Sequence, residues 1–386
     1  MADPSSLMNT SSTYDVAVIG GGLAGLTTCI QLARAGWKVV LFEKESYPFH
    51  RVCGEYISLE SRTFLRGLGI DDVALHLPII DQLQVSAPNG KLLEQRLPLG
   101  GMGISRYRLD QLLAGIAINT GVQIMDHTRV NDAVYDDDGF NIQTAAGNYR
   151  SRITVGSFGK RSNLDVKMNR DFIRQKASGL NNFIGIKYHI RYAHPRDTIV
   201  LHNFSDGYCG MSAIENGLSC LCYLTTAANL ERSGKSIPRM EQEILSQNPH
   251  LERIFRDADF VFREPVAISQ ISFAQKSLIE NHILMAGDAA GMITPLCGNG
   301  MSMGMHAGKI MTGKIDLFLS GKINRQEMEA SYERDWKEHF SGRLRMGRMI
   351  QRMFGKPMMT NVFISAMKPF PGAVKWLVKQ THGVEF

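Results

Sequence analysis

YDVAVIGGGLAGLTTCIQLARAGWKVVLFEK, residues 14–44, is the stretch that decides the fold. YDVAVIG is a short β-branched apolar run, GGLAGLTTCIQLARAG has helical spacing and stops at Gly36, and WKVVLFEK is a second buried run. Strand, glycine-rich turn, helix and strand in about 30 residues predict the first βαβ unit of a doubly wound, Rossmann-like α/β sheet. In the turn, Gly20 permits a tight reversal, Gly22 lets backbone approach a pyrophosphate, and Gly25 lets the helix pack on the strand. Leu23 and Ala24 open the helix, whose free amides face the phosphates. Glu43, just before Lys44, ends the second strand and is placed to accept hydrogen bonds from ribose hydroxyls. The combination predicts a dinucleotide site.

The pattern returns far downstream. ILMAGDAAG, from Ile283, is a buried strand running into a loop, and GMSMGMHAGKIMTGKIDLFL, from Gly300, is a long helix. Gly287 and Asp288 thus end a buried strand, and the glycine-rich loop behind them leads to a helix N-terminus suited to negative charge. An aspartate so placed can bind the hydroxyls of a sugar-like chain.

Between these segments, 106–121 has helical periodicity, and 122–156 alternates apolar runs with Asp-Gly and Ala-Gly turns, as in a meander. Residues 183–275 carry further strands and one helix near 239–257. A discontinuous first domain is therefore expected at 14–75, 100–165 and 276–330. A substrate domain on a second sheet takes 76–99 and 166–275, and 331–386 is a helical C-terminal region.

These motifs together resemble the para-hydroxybenzoate hydroxylase superfamily, which includes aromatic monooxygenases, geranylgeranyl reductases and flavin-dependent halogenases. The resemblance implies FAD. It places Gly287 and Asp288 on the ribityl chain, Pro295 beside the flavin ring, and the amides of Gly298, Asn299, Gly300 and Met301 at its pyrimidine edge. Arg106, four residues before Asp110, matches the family's R-x-x-x-D helix start, whose Arg contacts FAD; a surface Arg is the alternative. YPFHRVCGEYIS, residues 47–58, resembles the loop that puts Arg51 near the pyrophosphate and Cys53 and Gly54 near the flavin, with plain packing equally open for Cys53.

Departures from the family matter as much. Where monooxygenases have G-A-D-G, this chain has Gly156, Ser157, Phe158 and Gly159, so direct reduction by NADPH or NADH is in doubt and a separate flavin or NADPH reductase is a candidate partner. DGYCGMSAIENG lacks the halogenase tryptophans, and only Tyr208 remains of the reductases' aromatic motif. The expectation is an FAD-dependent monooxygenase hydroxylating a small or lipophilic, aromatic or polyketide-like substrate through a peroxyflavin. The alternative is a reductase that saturates isoprenoid or other alkenes by hydride transfer. His189, His194, His202 and Tyr208 are acid–base candidates in the substrate sheet, none assigned as catalytic.

Composition excludes much else. Of 386 residues, 44% are apolar and 21% charged, as in a soluble globular protein. Residues 1–13 are polar and lack the parts of a secretory signal, and no apolar run is long enough to span a bilayer, so a cytoplasmic location is expected. Six cysteines without C-x-x-C spacing argue against zinc and disulfides, and Cys220 and Cys222 read as small core residues. The histidines show no metal spacing, and neither a nucleic-acid partner nor a hydrolase nucleophile is indicated.

Charge is concentrated at one end. From Lys337 onward nine Lys or Arg oppose only Glu338 and Glu385, while the rest of the chain is nearly neutral. In SGRLRMGRMIQRM, Met346, Met349, Ile350 and Met353 fall on one helical face beside Arg345, Arg348 and Arg352. Two readings stay open: packing of the methionine face on the first domain, or peripheral contact with a membrane that supplies a lipophilic substrate.

Overall fold

The computed structural model describes residues 12–136, 139–174, 181–294, 298–353, 356–381 and 383–386. Two sheets organise them. The first contains β1 (Ser12–Ile19), β2 (Val39–Phe42), β6 (Gln123–Met125), β7 (Val130–Asp136), β8 (Gly139–Thr144), β9 (Gly147–Gly156), β16 (Ile279–Glu280) and β17 (Ile283–Met285). The second contains β3 (Tyr56–Ser58), β4 (Ile79–Ser86), β5 (Leu92–Gly103), β10 (Asn181–Arg191), β11 (Thr198–Phe204), β12 (Gly207–Ala213), β13 (Ser219–Thr226), β14 (Asp259–Phe260) and β15 (Val266–Ser272). The helices are α1 (Leu23–Arg34), α2 (Arg62–Leu68), α3 (Arg106–Asn119), α4 (Asn163–Lys167), α5 (Asp171–Arg174), α6 (Ala227–Arg232), α7 (Ile237–Glu243), α8 (Pro249–Asp257), α9 (Gly300–Leu319), α10 (Arg325–Met353), α11 (Pro357–Met367) and α12 (Pro371–Thr381).

In the first sheet the order β17-β9-β1-β2-β6 is parallel throughout. Every residue of VVLF in β2 is buried, as a strand covered on both faces requires. The strand order turns back on itself between β1 and β9, and a ligand belongs at the carboxyl ends of the strands flanking such a point. Those ends are Gly20 and Ser157. The α1 and α9 helices lie side by side on this sheet, because Gly308 brings the backbone of α9 against Ala24 and Thr28.

The second sheet alternates. Along β10, Ile184, Ile186, Tyr188 and Ile190 form a core with Met240, Leu251 and Ile254 beneath α7 and α8. Phe183, Lys187 and His189 point the opposite way, Lys187 and His189 reaching Glu55 of the first domain and Phe183 joining a cluster with Phe273 and Ile364. The helix expected near 239–257 is interrupted: α7 ends at Glu243 and α8 restarts on Pro249, which suits a first helical turn and not an interior. β3, and β5 as far as Gly103, pair within the second sheet, so this sheet reaches into stretches whose pattern suggests the first domain. Three strand residues are too few for periodicity to reveal.

Near its C-terminal end α10 buries Leu344, Gly347 and Gln351, leaving Met349 exposed and Met346 and Ile350 half-buried. The methionine face therefore packs only in part.

Candidate functional site

The glycine turn separates packing needs from ligand needs. Gly20 has φ +105°, and a Cβ there would lie 2.5 Å from the Ser157 carbonyl oxygen; a Cβ on Gly25 would overlap the Gly20 carbonyl. Both glycines are required by the protein itself. A Cβ on Gly22 would meet nothing closer than the Arg106 guanidinium at 3.8 Å among the described residues, none of which demands glycine there. Gly22 is also the N-cap of α1 and offers no side-chain cap to its amides, and no acid occupies the first turn. Leu23 and Ala24 are buried in that turn. Open space, free amides and nearby cations form a cradle for an anion.

The cations are held by carboxylates. Asp110 binds Arg106 through two hydrogen bonds of 2.8 Å and Arg51 through one of 3.0 Å. Burial works against the Arg106 charge, and Asp110 more than restores it. Arg51 also donates to Glu43 at 2.9 Å, whose carboxylate accepts from the amides of Gly21 (2.8 Å) and Glu45 (3.1 Å). Glu43 is thus fixed at the end of β2, whereas Lys44 points to solvent and pairs with Glu45. Tyr47 donates its hydroxyl proton to the Gly21 carbonyl at 2.6 Å, a buttress that sequence reading did not anticipate.

On the other side of the switch point, Gly287 turns the chain with φ +60° against Ala24. Asp288 follows, half-buried, and its carboxylate accepts no hydrogen bond among the described residues. Burial raises its pKa, and Lys276, Arg106, Lys160 and Arg51 pull against that rise. Lys276 donates to the main-chain oxygens of Lys160 (2.7 Å) and Asp288 (2.6 Å), and burial depresses Lys276 and Lys160 each to about 8. Gly298 has φ +64° and lies against the ring of Tyr56; Asn299 is buried at the start of α9, which Gly300 and Met301 open. Pro295 lies outside the described residues. A small cleft lined by Gly287, Asp288, Ile293, Gly300 and Gly304 separates the carboxylate from the helix start.

Loop 50–55 is the seam between the sheets. Its main-chain oxygens accept from three adjacent strands of the second sheet: Arg51 from Lys187 of β10 (3.1 Å), Cys53 from Cys220 of β13 (3.2 Å) and Gly54 from Ser212 of β12 (3.0 Å). Glu55 has φ +55° and is fully buried. Its carboxylate accepts from Lys187 Nζ (2.5 Å), the Arg106 amide (2.8 Å) and His189 Nε2 (2.6 Å). Burial would raise the Glu55 carboxyl, but the His189 hydrogen bond and the Lys187 charge hold it below its ordinary range. Burial likewise opposes the Lys187 charge, and Glu55 leaves its pKa raised. The ligand atoms of Glu55, His189 and Cys220 lie within 4.8 Å of one another, but the carboxylate is already engaged by Lys187, His189 and the Arg106 amide, and the Cys220 thiol by the Cys53 carbonyl.

His50 stands edge-on to His189 at 5.2 Å and stacks on Tyr107 at 4.7 Å, with its Nδ1 buried and unpartnered among the described residues. Burial, then Lys187 and His189, lower its pKa to about 4. The other candidates are structural: His194 bonds the Thr198 carbonyl, His202 bonds Ser86, and Tyr208 is buried in an apolar cluster. Glu55 and Lys187 escaped sequence reading; the usable signal was the spacing of Lys187 and His189, two apart on one face of an otherwise apolar strand. Phe158 lays its ring beside Gly156, and Ser157 donates to the Gly20 carbonyl at 2.6 Å.

A family model described as an FAD binding domain matches residues 13–341. Conditioned medium factor receptor 1 of Dictyostelium discoideum is 22% identical over 364 residues, 88% of this chain and 70% of that protein. The digeranylgeranylglycerophospholipid reductase of Methanococcus vannielii is 25% identical over 342 residues, 84% of this chain and 83% of that protein. A solved flavin-dependent brominase has a TM-score of 0.78 at 18% identity, covering 96% of this chain and 93% of that one, a likeness of fold alone.

Proposed function

Because the chain belongs to the FAD-binding-domain family, we propose that it is an FAD-dependent oxidoreductase that reduces carbon–carbon double bonds in a lipophilic, isoprenoid-like substrate. The observation that carries this reading is one face of the second sheet, where apolar Phe183 and Leu224 give way along the strands to the Glu55–Lys187–His189 set. An apolar wall suits a hydrocarbon chain, and a buried acid–base set beside it suits proton delivery. The reductase relative favours this over hydroxylation.

FAD fits the residues present. The open space over Gly22 with Arg51 and Arg106 takes the pyrophosphate, Glu43 the ribose, Asp288 the ribityl hydroxyls, and the amides at Gly298–Met301 the pyrimidine edge. When bound, the cofactor supplies hydride. Addition of hydride to one alkene carbon requires a proton at its neighbour. Lys187, kept charged by Glu55, and His189 hold exchangeable protons at Nζ and Nε2, beside the ring of His50, which stacks on Tyr107.

The test is anaerobic. Bound flavin is reduced chemically and mixed with a polyprenyl lipid. Reoxidation without oxygen, with two hydrogens gained per double bond, is expected. Reoxidation only on admission of oxygen, with a hydroxylated product, would overturn the reductase reading in favour of a monooxygenase.

A further inference from the structure

Half of the large apolar side chains left exposed among the described residues fall between Met349 and Val384. In α11 only Thr360 and Ile364 are buried; Met358 is 79% exposed, and Met359 and Val362 are also bare. Phe370 (63%) and Trp376 (56%) project from the following turn and from α12. Exposed apolar patches of this kind mark contact surfaces.

Charge identifies the occupant. No Asp or Glu occurs between Glu338 and Glu385, and Arg345, Arg352, Lys356, Lys368, Lys375 and Lys379 are exposed with no carboxylate partner among the described residues. Arg348, half-buried between Arg345 and Arg352, has its pKa depressed by burial and by those neighbours. Unpaired cations around bare Met, Phe and Trp complement the anionic headgroups and acyl boundary of a bilayer. No helix among the described residues is long and apolar enough to cross one, so the fit is to its surface.

The hairpin also covers the site's apolar wall. Ile364 of α11 and Val374 of α12 join Phe183, Leu201, Leu224 and Phe273 in one cluster, with Met292 beside it. This segment lies beyond the residues matched by the family model.

We propose that the α11–α12 hairpin lays this protein on an anionic lipid surface and that the apolar substrate passes beneath it onto the Phe183 wall. The surface stands on its own observations, whereas the passage of substrate rests on the function proposed above. Holoprotein is sedimented with phosphatidylcholine vesicles, with and without phosphatidylglycerol, at low and high salt. Binding is expected only with the anionic lipid, fading with salt. Trp376 emission should shift to the blue on binding, and Trp376→Phe should remove the shift. Lys375→Glu with Lys379→Glu, both at exposed positions, should lower partitioning by at least about tenfold. Equal binding to neutral vesicles, no binding at low salt, indifference to the charge reversal, or self-association of the free protein through Phe370 and Trp376 would each overturn the proposal. Flavin absorbance in every sample keeps its failure distinct from failure of the FAD assignment.

Discussion

Gly22 and Gly25 look alike in the sequence and differ in what a side chain would meet. Gly22→Val should therefore keep the fold and lose FAD, read as a colourless protein with unchanged far-ultraviolet circular dichroism, while Gly25→Val should disrupt the fold itself. A yellow Gly22→Val protein would contradict the assignment. The Glu55–Lys187 pair makes a second contrast. Lys187→Met strands a buried carboxylate and should cost about 3–5 kcal/mol in denaturant unfolding, more than the double variant Glu55→Gln, Lys187→Met. The sign of the pH dependence follows from the shifts. Glu55, depressed in the fold, contributes stability that is complete above its ordinary 4.5 and lost as pH falls through its lower folded value. Lys187, raised, contributes stability complete below its ordinary 10.5 and lost as pH rises through its higher folded value. His50, lowered from 6.5 to about 4, adds a loss between those limits on acidification. Melting temperature against pH, in wild type and in Lys187→Met, should show a weaker acid limb in the variant, because without the Lys187 charge the folded Glu55 carboxyl moves back up and its protonation relieves the stranded charge.

At the scale of elements, α1 and α9 approach so closely that a Cβ on Gly308 would lie 2.8 Å from Thr28 Oγ1. Gly308→Val should cost about 1–3 kcal/mol by overpacking and weaken flavin retention, because it separates the two helix starts that frame the site. The segment after β9 bears on electron supply. With Phe158 where related monooxygenases carry aspartate, NADPH alone should reduce the flavin slowly in stopped flow; reduction within milliseconds at micromolar NADPH would rule this out. Sequence made the β1–α1–β2 unit and the β17-to-α9 passage legible because each couples a buried run to glycines with distinct jobs. It did not reveal the Glu55 network, because Glu55 meets Lys187 and His189 across more than 130 residues and only the assembled sheet brings them together. Nor did it reveal β3, whose three residues carry no period, or the break before α8, where Pro249 opens a new helix.

At the scale of the whole molecule, the glycine turn and Asp288 frame one cleft although Gly20 and Asp288 lie 268 residues apart in the chain. A ribosome adding about 5–20 residues per second releases the first half of the site on the order of 10–50 s before the second. For the first half of that interval β1 has no β9 beside it, and throughout it α1 has no α9, so the nascent turn cannot hold a dinucleotide. Stalled chains ending before Ile283 should bind no flavin, whereas chains extended past α10 should capture it; retention by the shorter chains would contradict this. Cofactor capture is then a late step in biosynthesis, and a cell short of flavin would accumulate full-length protein lacking the stabilisation that ligand binding adds.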